Sequence, residues 1–113
     1  MTNLEIKNVP YGVPASLPLL PTGNPAAVHT EDVASDTATS ITLTGTQLIE
    51  IVAEDYGVYV RRTTATDTDA CTSSNFHHYV PAGSTRHYGL SSDATGLSLI
   101  GKGGTADVII IEY

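Results

Sequence analysis

Four histidines, one cysteine and a lysine set among glycines are the residues of this chain whose types could serve chemistry. His77 and His78 are neighbours in Phe76 to Val80, a stretch that reads as a strand. Successive side chains of a strand point to opposite faces, so these two could not chelate one ion. If Pro81 to Ser84 is a four-residue hairpin loop, His78 lies directly across from His87. Such a pair could hold Zn²⁺, but zinc takes three or four protein ligands. No cysteine or His-x-His at a fitting spacing completes the set, and the His-x-His ligands of a cupin-type centre are missing with it. A cross-strand pair of polar side chains is the expectation. If the two rings touch, both resist protonation, which makes that hairpin acid-sensitive.

The other candidates fail on spacing or setting. Gly101-Lys102-Gly103-Gly104-Thr105 lacks the four residues that a phosphate loop places before its Gly-Lys pair. A strand follows it, so no helix N-terminus would receive an anion. Serines and histidines occur, but no Gly-x-Ser-x-Gly elbow does. Glu31-Asp32 and Glu54-Asp55 fall at turn-like positions, as solvated strand ends do. Asp67 and Asp69 lack the glycine and terminal glutamate of a calcium loop. Cys71 sits in the polar run Asp67 to Asn75 with no lysine beside it to lower its pKa, and reads as a bystander. No catalytic residue, metal or cofactor is expected, and the chain is not read as an enzyme. Carbohydrate binding is the non-structural alternative. It rests on six tyrosines, of which Tyr56 and Tyr59 would point to opposite faces, so that at least one belongs to the core.

The elements that must hold these residues are strands. Thr, Val and Ile dominate from Ala26 onward, and they fit a pleated surface. Ile41 to Thr44 alternates, and Gly45 permits a corner. Thr46 to Ala53 sets Ile49, Ile51 and Ala53 on one face and Leu48 and Val52 around Glu50 on the other. Val58 and Val60 alternate with Tyr59 and Arg61. Thr63 to Asn75 is polar and reads as an exposed loop. Phe76 to Val80 and Thr85 to Leu90 flank one turn; Thr95 to Ile100 and Ala106 to Tyr113 flank a second, over Gly101 to Gly104, read as a hairpin loop. Val108 to Ile111 is apolar on both faces: either it is covered on both sides, or its outer face meets another chain. No long window has helical period. Seven or eight short strands predict a single-domain all-β sandwich over residues 26–113, jelly-roll-like.

Residues 1–25 read as an extended Pro-rich N-terminal arm, because five of the six prolines fall between Val9 and Pro25. Proline excludes a helix there and makes a central strand a poor fit. The arm also carries Tyr11, Val13, Leu17, Leu19 and Leu20, which a free linker does not need. They are candidate subunit-interface residues if the arm docks on a neighbour, and core cover if it folds back on its own domain.

Composition narrows the partners. A chain of 113 residues buries enough surface to fold without metal or disulfide, and a single cysteine forms no internal bridge. Five basic against 12 acidic residues, a formal charge of −7, argue against nucleic acid and against a place inside a nucleic-acid container. No stretch approaches the roughly 18 apolar residues of a membrane span. Met1 to Asn8 lacks the pattern of a signal peptide, so synthesis in the cytoplasm is the expectation.

Two segments carry a resemblance: Ile41 to Arg61, and Tyr79 to Tyr113 with its Pro81-Ala82-Gly83 turn and its Gly-Lys-Gly-Gly-Thr-Ala-Asp-Val run from Gly101. Together, about half the chain resembles the small β-sandwich virion proteins of tailed bacteriophages. The resemblance implies a capsid decoration or cement protein, made in the host cytoplasm and bound to the major capsid protein on the outer head surface. Local symmetry on such a shell favours a closed ring, most simply a homotrimer. A tail, fibre or head-surface module is the alternative within the same class. No catalytic residues come with the resemblance.

Overall fold

The computed structural model describes residues 25–45 and 48–113. The arm and its candidate interface residues Tyr11, Val13, Leu17, Leu19 and Leu20 lie outside the described residues. Eight strands follow in order: β1 Ala27–Val33, β2 Thr39–Thr42, β3 Leu48–Ala53, β4 Val58–Thr64, β5 His78–Val80, β6 Ser84–Gly89, β7 Ala94–Gly101 and β8 Ala106–Glu112. They form two four-stranded sheets, ordered β1-β8-β3-β6 and β2-β7-β4-β5, with every neighbouring pair antiparallel. No helix occurs among the described residues.

The period-two pattern determines which side chains meet. Ile49, Ile51 and Ala53 of β3 lie beside Val108 and Ile110 of β8, all buried. Val58 and Val60 of β4, and Leu97 and Leu99 of β7, form the facing half of one hydrophobic cluster. These residues are stiff, branched and without polar atoms, so packing of the two inner faces supplies most of the stability.

Two turns differ from their sequence reading. Neither Pro81–Gly83 nor Gly101–Gly104 closes a hairpin within a sheet: β5 pairs with β4 and β6 with β3, while β7 and β8 belong to different sheets. Each turn carries the chain from one sheet to the other. Gly83, at φ 74°, makes the first crossing in a backbone region that other residues rarely enter, and its N–H donates to the Ala53 carbonyl at 2.8 Å. At Gly101 the second crossing is so tight that a Cβ would lie 2.5 Å from the Gly104 carbonyl oxygen and 2.7 Å from that of Val33. Of the consecutive strands, β4 and β5 alone pair with each other. Short turns read as hairpins because a turn's residues report its local geometry, not the sheet that the next strand joins.

The polar loop between β4 and β5 is exposed, as expected, except at Asp67 and Cys71. It folds back over the outer face of β4 and β7, burying Cys71 to 1% exposure. The Cys71 N–H donates to Ser98 Oγ at 2.9 Å, and Arg61 Nη2 donates to both carboxylate oxygens of Asp67 at 2.7 and 2.8 Å. A buried arginine needs a carboxylate over it, and the loop supplies one.

Candidate functional site

The most distinctive surface is the outer face of the sheet β1-β8-β3-β6. β8 lies between β1 and β3, with Val108, Ile110 and Glu112 turned inward. Alternation then forces Ile109 and Ile111 outward, where both are only half-buried. Register sets Val28 across from Ile111, and Val52 across from Ile109. Val28 is 56% exposed and Leu48 44%, so an apolar stripe runs across three strands. The described strands of the opposite sheet all lie on the other side, against the inner face.

Polar groups border the stripe. Glu50 Oε1 accepts from the Tyr113 hydroxyl at 3.1 Å and lies 3.2 Å from His87 Nε2. At the other end Asp32 and Asp107 face each other across the β1–β8 ladder. Asp55 accepts backbone N–H groups from Asp107 and Tyr56, each at 2.9 Å, and the Asp107 bond leads in holding its pKa below the usual carboxylate range. The Asp107 carboxyl is pushed the other way by its hydrogen bond to the Asp32 carboxylate and then by the charges of Asp55 and Glu54. Asp32, Glu54, Asp55 and Asp107, all exposed, thus form an acidic border; Glu54-Asp55 is a solvated turn as read, whereas Glu31-Asp32 lies within β1 and only Asp32 joins the border.

Beneath the β1 end of the stripe lies a buried polar clamp. Glu112 is fully buried; its Oε2 lies 2.6 Å from His29 Nε2, and its Oε1 accepts from the Thr44 N–H at 2.8 Å and the Thr44 hydroxyl at 2.9 Å. Ala26 N–H donates to the Glu112 carbonyl at 2.7 Å. One carboxylate thus ties the start of β1, the end of β8 and the segment after β2. Nothing local in the sequence marks Glu112 as buried; only the inward alternation of β8 could have found it.

The histidines do not meet as expected. His78 pairs with Val60 in one sheet and His87 with Glu50 in the other; His78 instead stacks on Tyr88, ring centroids 4.2 Å apart. His77 precedes β5, so strand alternation does not govern it, and both His77 and His78 line one cleft. No group of three or more His, Cys, Asp or Glu suited to a metal ion occurs among the described residues. Burial pushes the Cys71 thiol up to about 11. Neither Tyr56 nor Tyr59 is core: Tyr56 is 42% exposed, and Tyr59 lies on the outer face with Phe76 and Tyr79 at ring-centroid distances of 4.6 and 5.1 Å. Among the described residues no helix is long and apolar enough to cross a membrane.

The fold and this surface define an all-β, two-sheet protein. No family model matches the chain, and no similar curated protein or solved structure was found.

Proposed function

We propose that this chain is a structural protein of a bacteriophage virion, a capsid decoration or cement protein that binds the outer head surface as an oligomer. The observation that carries the reading is the outer face of β8, where Ile109 and Ile111 join Val28, Val52 and Leu48 in one apolar stripe. No described strand covers this doubly apolar central strand on its outer side, and a neighbouring subunit seated there gains stability through burial of apolar area. The occupant is a second copy of this chain, in a closed ring, most simply a homotrimer. The stripe itself carries no lysine or arginine, and Glu50, its one carboxylate, already accepts from the Tyr113 hydroxyl at 3.1 Å and lies 3.2 Å from His87 Nε2, so the one charge that a second copy would approach is met by hydrogen bonds.

The strand order β1-β8-β3-β6 facing β2-β7-β4-β5 supports a jelly-roll reading, an architecture common in capsid proteins and also in lectins. The net charge of −7 suits the outside of a shell that holds nucleic acid, with the major capsid protein as partner and neither nucleic acid nor membrane as ligand. The role is passive binding, without catalysis or cofactor. Deletion of the chain tests it: particles lacking it lose integrity under heat or low salt, and complementation restores them. Unchanged particle composition and stability refute the assignment. A tail or fibre module is separated by copy number, hundreds per particle for cement and far fewer for a tail part.

A further inference from the structure

The two sheets part where β5 ends one and β6 ends the other, and a cleft of about 120 Å³ opens there. Ile49, Val60 and Leu97 from the core form its floor. Its walls carry Arg62, His77, His78, Tyr88 and Ser91. The stacked His78 and Tyr88 rings bridge the two edge strands.

The two adjacent arginines differ in their charge balance. Arg61 points outward and is met by Asp67 at 2.7 Å and Asp69 at 3.8 Å. Arg62 points inward to the cleft. Its Nη1 donates to Ser91 Oγ at 3.1 Å, and its Nε is buried with no hydrogen-bond partner among the described residues. No carboxylate of the described residues lies within 4.0 Å of it; Asp93, whose carboxylate bonds Ser91, feels the Arg62 charge without a direct ion pair. The cationic form of His77 is disfavoured: burial, then the two arginines, hold its pKa below the usual histidine range, and its Nδ1 accepts the Arg62 backbone N–H at 2.9 Å. In an acidic chain the cleft thus presents one guanidinium with no direct ion pair among the described residues, several other polar groups and an apolar floor.

We propose that this cleft binds a saccharide unit bearing a single carboxylate, of the uronic-acid class. One guanidinium matches one carboxylate through a two-pronged bond. A phosphate dianion would bring a second charge with no cation to meet it, inside a protein whose overall field repels anions. Ser91, Tyr88 and the histidines suit ring hydroxyls, and the apolar floor suits the C–H face of a sugar. The inference stands apart from the virion assignment, since it concerns a cleft on the side away from the β1 edge.

Amide-resolved NMR titration of the full chain tests it, with glucuronate, glucose, acetate and inorganic phosphate as probes. Glucuronate produces saturable shifts at His78–Val80 and Tyr88–Ser91, while glucose and acetate each bind about tenfold or more weakly, as the loss of a charge-assisted bond or of the ring contacts requires. Arg62→Gln abolishes the glucuronate shifts. Ser91→Asp does the same, by giving Arg62 a resident carboxylate without removing a core group. Absence of saturable shifts, or glucuronate binding retained in a folded Ser91→Asp variant, overturns the site. Acetate or phosphate binding as tightly as glucuronate overturns the saccharide assignment.

Discussion

Glu112 shows how much one side chain can organise when it is fully buried. Its oxygens are satisfied by His29 and Thr44, which come from segments far apart in sequence. Removing the carboxylate leaves those donors facing a gap in the interior. Glu112→Ala is therefore expected to cost about 3–5 kcal/mol, measured by urea denaturation at neutral pH. Asp107 lies at the opposite end of β8, on its exposed face, and works against stability. Its folded-state pKa is raised, so the protein pays for its ionisation at every pH above that value and is relieved as pH falls below it. Asp107→Asn removes the repulsion and can still bond Asp32. Its melting temperature should exceed that of the parent at pH 7, and the gain should vanish in acid. A gain that persists in acid would assign the effect to something other than charge.

At the scale of elements, the connections decide the architecture. Seven connections join eight strands, and six of them change sheet. Those crossings need backbone contact closer than a side chain permits, as at Gly101. Gly101→Ala places a methyl against two carbonyl oxygens, neither of which is a flexible side-chain end. A destabilisation of about 1–3 kcal/mol is expected by thermal or chemical unfolding. The strands themselves were legible: the faces of β3 follow directly from Ile49, Ile51 and Ala53 alternating with Leu48, Glu50 and Val52. The loop after β4 was legible as an exposed polar segment, but not where it docks: Asp67 is drawn onto Arg61 by a charge that the sheet would otherwise bury alone, and Cys71 is buried with it.

For the whole molecule, the question is what covers the outer stripe. If the proposed oligomer forms through this stripe, Ile109→Asp, on an outward position of β8, should leave the inner core intact and convert it to monomer in sedimentation velocity, with a cooperative melt retained. Interfaces of this kind bury roughly 1,600 Å² in total, so one charge set into the stripe disrupts association far more than folding. An oligomer unchanged by the substitution would move the contact elsewhere.

The amino-acid order alone determined the strand-rich class, the inward faces and the doubly apolar last strand, because these depend on period-two alternation within a few residues. It could not determine which strands became neighbours, that His78 meets Tyr88 in place of His87, or that Arg62 opens on a cleft while Arg61 is neutralised. Those outcomes depend on contacts between segments tens of residues apart, and only the three-dimensional packing of two sheets brings such segments together.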